Sequence, residues 1–227
     1  MSESSGGFLF TFFNLAIAQE YWADIALGML VTIGVGIAVV ITGLALGLAM
    51  AIGRSLQLRW LTAAIVIFSD VMRSLPPLVV LILLYFGLPT LGLELSAFAA
   101  TWVSLSMVLA AYAQESISSA MASLPKGQTE AARSTGLTWW QAMRWVVLPQ
   151  ALRRAVPPLT NRVISTTKNT ALGSVVALGE ILSNAQAASA VAGNPTPLTI
   201  GAFLYLLVFL PIVIFSRWLE HKTKTTA

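Results

Sequence analysis

Long apolar runs, each closed by a charged or turn-rich stretch, set the pattern of this chain. Five stand out: about Trp22–Gly53, Trp60–Leu88, Ser96–Ala122, Val156–Leu182 and Leu198–Trp218. A helix crosses a bilayer with roughly 20 apolar residues, so each run predicts one membrane span. Trp22, Trp60 and Trp218 fall near run ends, where amphipathic rings settle at the lipid headgroups. The first run is long enough to tilt. The pattern predicts an all-α integral membrane protein of five transmembrane helices, in a single domain over residues 1–227.

Composition agrees. The chain is 57% hydrophobic and 10% charged, against about 25% charged in a soluble domain. It has no cysteine, which removes disulfides and thiolate metal sites. The formal net charge of +4 matters less than its distribution. Segments 1–21, 89–95 and 183–197 contain no Lys or Arg. Segments 54–59, 123–155 and 217–227 hold all of the thirteen basic residues except Arg73, Arg162 and Lys168. The positive-inside rule makes the basic side cytoplasmic, so the N-terminus is expected outside and the C-terminus in the cytoplasm. Basic residues that bracket spans, with no single patch, exclude a nucleic-acid partner and make the lipid membrane the expected one.

The external segment 1–21 contains "FLFTFFNLAIAQ" (8–19), which has the look of a signal-peptide core followed by a cleavage-like Ala16-Ile17-Ala18. No basic residue precedes it, since the first is Arg54, and a secretory signal opens on positive charge. A short helix lying in the membrane interface, aromatic side down, is the expected role. In the first span Gly43 and Gly47 form a GxxxG pair. Such small residues let helix backbones approach closely, either against another span of the same subunit or across a dimer seam.

The one sizeable loop, 123–155, faces the cytoplasm and has legible turn chemistry. "KGQTEAARST" predicts a short helix closed by Gly136 as a left-handed cap. Thr138 with Gln141 predicts a capping box for a second short helix, and Leu148-Pro149 is expected to end it. Trp139, Trp140 and Trp145 suit either the membrane interface or a docking surface.

Glu130-Ala131-Ala132, three residues, Gly136, nine residues, Val146, one residue and Leu148-Pro149 resembles the EAA loop of ABC importer permeases, with Val where that pattern usually has Ile. "PKGQ" (125–128), Tyr112 and Glu115, "MRSLPPLVVLILLYFGLP" (72–89), "KNTALGSVVALGEI" (168–181) and "SRWLE" (216–220) resemble the polar amino-acid permease branch. The resemblance implies a type I importer fold: a homo- or heterodimer of five-span subunits, two ATP-binding cassette subunits below and an extracytoplasmic solute-binding protein above, in the bacterial cytoplasmic membrane. Glu130, Ala131, Ala132, Gly136, Leu148 and Pro149 would then couple the chain to its ATPase. No P-loop pattern is present. ATP and Mg are therefore expected on the partner, with no cofactor, metal or catalytic residue here, and the chain is expected to carry a polar amino acid or a related zwitterion.

Ionisable residues within spans are costly and usually pair or line water. Asp70 and Arg73, three apart, can pair on one helix face. Pro76-Pro77 must break or kink that helix, and broken helices often mark a transport site. Lys168 lies twelve residues into the fourth span, roughly 18 Å deep at about 1.5 Å per residue. Asn169, where the resembled family usually has Asp, and Thr170 supply short polar groups beside it. Lys168, Asn169 and Thr170, with Asp70, Arg73 and Arg162, form the candidate substrate pathway, a site suited to a carboxylate. The competing reading is that Lys168 and Arg73 are held by internal partners such as Asp70 and Glu115. The functional alternative is an ion-coupled secondary carrier, which five spans and a large cytoplasmic loop fit poorly. No HExxH motif or histidine within a span points to an intramembrane enzyme.

Overall fold

The computed structural model describes residues 7–224, with side chains through residue 219. Residues 1–6 of the predicted external segment and 225–227 of the predicted cytoplasmic tail lie outside the described residues, as do the side chains of His221, Lys222 and Lys224. Every regular element among the described residues is helical: α1 (Phe8–Phe12), α2 (Leu15–Ser55), α3 (Arg59–Ser74), α4 (Pro77–Ile82), α5 (Ala97–Ala122), α6 (Lys126–Ser134), α7 (Trp139–Ala142), α8 (Leu148–Lys168), α9 (Ile181–Ala192) and α10 (Thr196–Lys224).

α1 is the short aromatic helix expected before the first span, with Phe8, Leu9 and Phe10 largely exposed. α2 begins earlier than the apolar run predicts because Asn14 caps it. The Asn14 Oδ1 accepts from the N–H groups of Ala16 and Ile17 at 3.1 and 3.3 Å, satisfying donors that a helix start leaves free. Polar Glu20 and Asp24 then ride on exposed faces of the same helix. α3 stops at Leu75, whose backbone is extended (φ −86°, ψ 137°), as a residue before proline prefers. Pro77 opens α4, since a first-turn proline loses no helical hydrogen bond. α4 runs on through a widened turn, Leu83–Gly87, and a 3-10 turn, Leu88–Leu91.

Two elements depart from expectation. Leu148-Pro149 does not end the second loop helix. A widened turn at Met143–Val147 follows α7, and α8 starts at Leu148 and continues to Lys168. Pro149 therefore sits in a first turn, where a missing N–H costs little, and the Gln150 side chain donates to the Val146 carbonyl at 2.9 Å. The fourth apolar run is not one α-helix either. α8 tightens into a 3-10 stretch, Asn169–Val176, then turns at Ala177 (φ +56°) before α9.

Phe8–Ser55, Ala97–Ala122 and Thr196–Leu219 are long and apolar enough to cross a membrane. Two bent pairs, Arg59–Ser74 with Pro77–Leu91 and Trp139–Val176 with Ile181–Ala192, raise the count of candidate spans to as many as five.

The described residues form two compact units. The first comprises residues up to Val39, Pro77–Leu105 and Thr167–Ile214; the second comprises Val40–Pro76, Ser106–Thr166 and the chain from Phe215. In the first, Ile25, Ile181, Ala185, Ala188, Ile200 and Leu204 make one buried cluster, and Leu81, Ala100 and Val176 another. In the second, the core joins the end of α2 and α5 to the loop through Ala51, Ile117, Leu124, Met143, Val147, Ala151 and Ala155. Here the GxxxG pair finds its partner within the chain. A Cβ at Gly43 would lie 2.8 Å from the Leu109 Cβ, and one at Gly47 would lie 2.5 Å from the Ala113 Cβ.

Candidate functional site

The loop segment folds onto the core of the second unit. α6 follows Pro125 and buries one residue, Ala132, while Glu130 and Ala131 stay exposed. Past Thr135 the chain reverses at Gly136, with φ +88°. A side chain resists that left-handed backbone by about 1–2 kcal/mol, which accounts for glycine. The predicted capping box is formed: Thr138 Oγ1 accepts from the Gln141 N–H at 3.3 Å, and the Thr138 N–H donates to Gln141 Oε1 at 2.8 Å.

Trp139 and Leu148 pack against the core. Pro149 is exposed, and so are Trp140 and Trp145, at 59% and 67%. The loop's base is latched. Arg154 Nη1 donates to the Ser123 carbonyl and Oγ at 2.8 and 3.1 Å, and Gln150 Nε2 donates to Gln128 Oε1 at 3.2 Å. The segment is thus a braced bend, with Glu130, Ala131, Gly136 and Pro149 at the surface and Ala132 and Leu148 anchored beneath. Behind it lies a cavity of about 440 Å³ whose walls include Arg54, Glu115, Thr129 and Trp139.

At the edge of this cavity, in the same unit, charged residues gather around Glu115. Arg54 Nη1 lies 3.1 Å and Arg73 Nη1 3.7 Å from Glu115 Oε2, and Arg73 also sits 3.6 Å from Asp70. The Tyr112 ring takes two guanidinium groups, Arg162 at 4.2 Å and Arg73 at 6.0 Å from its centre, both within cation–π range. Asp70, Arg73 and Arg162 are therefore brought together, as the sequence suggests, but around Glu115 and Tyr112. Arg54, an unpredicted member, reaches Glu115 from 61 positions away, a separation that no local spacing signals.

Lys168, Asn169 and Thr170 belong to the first unit, at the junction of α8 and the 3-10 stretch. Thr170 is fully buried and donates to the Thr167 carbonyl at 2.8 Å. Lys168 is exposed. It borders an open groove of about 640 Å³ whose other walls include Ala171, Ala202, Tyr205, Leu206, Phe209 and Leu210. Among the described residues its ammonium has no ion pair.

The group that braces this groove lies outside the candidate pathway residues. Glu180 is fully buried. Its Oε2 accepts from the Tyr205 hydroxyl at 2.5 Å, and its Oε1 caps α9 by accepting from the Ser183 N–H at 2.7 Å. On α2, Thr32 Oγ1 accepts from the neighbouring Ile181 N–H at 3.3 Å. Gly28 packs so closely there that a Cβ would lie 2.8 Å from the Glu180 carbonyl carbon.

A family model described as "Binding-protein-dependent transport system inner membrane component" matches residues 43–225. The chain is 34% identical over 214 residues to the "Probable amino-acid ABC transporter permease protein YckA" of Bacillus subtilis, covering 92% of this chain and 93% of that one. It is 34% identical to the "Probable glutamine ABC transporter permease protein GlnP" of the same organism, covering 91% and 97%. With the "Histidine/lysine/arginine/ornithine transport system permease protein HisM" of Salmonella typhimurium it shares 31% identity over 230 residues, covering 91% and 98%. Among solved structures, one described as an "amino acid ABC transporter with histidines" superposes with a TM-score of 0.82 at 28% identity, covering 92% and 98%. A chain of the MetNI methionine ABC transporter shares the fold, with a TM-score of 0.62 at 20% identity over 94% and 97%.

Proposed function

Because this chain belongs to the family of binding-protein-dependent transport system inner membrane components, a family of non-enzymatic ABC permease subunits, we propose that it carries a polar amino acid or a related small zwitterion across the bacterial cytoplasmic membrane by alternating access. ATP and Mg are bound and turned over by two separate ATP-binding cassette subunits, which grip the loop at 123–155. A second permease, identical or a sibling, completes the pathway, and an extracytoplasmic binding protein delivers the solute. Five spans, an external N-terminus and a cytoplasmic C-terminus are supported by the bent helix pairs and the one-sided basic residues. No observation favours the ion-coupled carrier.

The observation that carries this reading is the braced bend at Gly136. Force applied to a stiff, surface-exposed bend is transmitted, whereas a slack loop would absorb it. A binding protein that favours one state and an ATPase that favours the other are then coupled through a single two-state element. Gly136→Val tests it, because a β-branched side chain opposes the left-handed backbone by ~1–2 kcal/mol or more, enough for about a tenfold loss of coupled population. ATPase co-purification or energised uptake into proteoliposomes should fall accordingly. Intact assembly together with intact uptake would refute the reading.

Lys168 is proposed as the carboxylate-binding group of the pathway, with Asn169 and Thr170 shaping the turn that presents it. An ammonium within a span needs an anion or water, and no anion of the described residues supplies one. For Arg73 the ion pairs with Asp70 and Glu115 favour the structural reading. Arg162, stacked on Tyr112, joins that framework. Lys168→Ala should raise the apparent KM for the cognate solute about tenfold, as loss of a charge-assisted hydrogen bond does. Unchanged affinity and rate would remove Lys168 from the site.

A further inference from the structure

We infer that the cavity behind the Gly136 bend binds a free amino acid by its α-ammonium and α-carboxylate, and that the bound molecule restrains the bend. The inference rests on the coupling role proposed for that bend. Every residue lining the cavity belongs to the second unit. Glu130, Ala131, Gly136 and Pro149, exposed on the bend, are not among them, so a partner gripping those four takes hold outside the cavity walls. The volume, about 440 Å³, lies in the range of small-ligand sites.

Two opposite charges stand in the wall, Arg54 and Glu115. Among the described residues, Arg54 donates to Glu115 Oε2 through Nη1 alone, which leaves its other N–H groups for a carboxylate. Glu115 Oε2 also faces Arg73, but Oε1 has one contact, the Ser119 hydroxyl at 3.4 Å. That is a long hydrogen bond, and it leaves Oε1 for an ammonium. An amino-acid zwitterion therefore matches both charges without separating the pair and adds no net charge to the site.

The polar lining is held from behind. Gln114 is fully buried; its Oε1 accepts from the Ser69 hydroxyl at 2.9 Å, and its Nε2 donates to Ser118 Oγ at 3.0 Å. Ser118 thus accepts from the core, and its own proton remains for a ligand. Gln57 keeps a side-chain amide at the cavity with φ +58°, just past the end of α2, where glycine is the usual choice. The remaining walls include Ala51, Met143 and Val147, which belong to the core that carries the bend. A ligand favours the state that binds it best, so one seated among these residues slows a cycle that must leave this arrangement.

The test is equilibrium binding of radiolabelled glutamine to the permease assembled with its ATPase partners in lipid nanodiscs, without binding protein, with the ATPase rate of the same sample. Recognition by main-chain groups makes this probe independent of the solute carried. Glutamine should bind saturably and slow ATP hydrolysis. N-acetylglutamine and glutaminamide, each lacking one of the two charges, should compete about tenfold less well. Arg54→Met should weaken glutamine about tenfold, and Arg54→Lys less. Ser119→Trp, which fills the cavity from an exposed position, should abolish both binding and the slowing, whereas Lys168→Ala should retain both. If Ser119→Trp does not assemble, Ser118→Ala takes its place and should weaken binding severalfold. No saturable binding, binding lost only in Lys168→Ala, equal competition by either analogue, or an ATPase rate that glutamine leaves unchanged overturns the inference. ATP-driven uptake by a chain that fails these tests leaves the importer reading standing; uptake that needs no ATPase removes that reading and leaves the binding site.

Discussion

Two glycines of α2 allow the close approach of α2 and α5 to be measured as an energy. A methyl added at Gly47 would sit 2.5 Å from the Ala113 Cβ and 2.9 Å from the Ala110 carbonyl oxygen, whereas one added at Gly34 would meet nothing within 4 Å. Carbon atoms rest at about 3.5–4.0 Å, so Gly47→Ala forces the helices apart by roughly 1 Å locally, and such a gap forfeits a quarter to a half of each dispersion contact along the seam. Overpacking of this kind costs about 1–3 kcal/mol. Both substitutions gain the same helix propensity, at most ~1 kcal/mol, and that gain cancels in their difference. Gly47→Ala should therefore be less stable than Gly34→Ala by about 1–3 kcal/mol. The assay is reversible unfolding of the purified subunit in mixed micelles. Adding Ala113→Gly should recover part of the loss, the carbonyl contact remaining. Equal stability of the two single variants would refute the close approach.

Thr138→Ala removes the capping box and should cost the loop about 1 kcal/mol, read as faster amide exchange at Trp139–Gln141 without loss of the spans. The Arg54–Glu115 pair is about one third exposed on both sides (34% and 38%). A double-mutant cycle with Arg54→Met and Glu115→Gln should therefore give a coupling of no more than ~1 kcal/mol; a much larger value would mean that the pair is desolvated in the assembled transporter.

What could be read from the sequence divides along contact range. The pairing of Asp70 with Arg73, the break at Pro76-Pro77 and the Thr138–Gln141 cap are interactions over three residues or fewer, and each is present. The apolar runs found where candidate spans lie, because lipid makes burial a matter of length, but three helices qualify by themselves and five only when each bent pair is taken as one span. The helical run through Pro149 escaped because the penalty of a proline depends on whether its absent N–H was needed, and a widened turn upstream removed the need. Arg54 with Glu115 and Tyr205 with Glu180 meet across 61 and 25 positions. Hydropathy reports how much apolar surface a helix has, but not which neighbour its few polar groups will face.

The second unit also indicates why the bend at Gly136 could act as a lever. Met143, Val147, Ala151 and Ala155 from the loop and α8 share one buried core with Ala51 of α2 and Ile117 of α5. Closely packed interiors do not deform continuously; they move as bodies or switch between arrangements. A displacement of the exposed bend therefore carries the ends of α2, α5 and α8 with it, and with them Arg54 and Glu115, which lie on those same helices. Arg73 contributes from α3 at the longer distances of 3.6 and 3.7 Å, and Arg162 through a ring face, contacts that tolerate small sliding better than a tight hydrogen bond does. Stiff apolar packing beneath the bend and looser charged contacts around Glu115 would suit the coupling role proposed above, being rigid at the exposed bend and compliant where neighbouring helices slip.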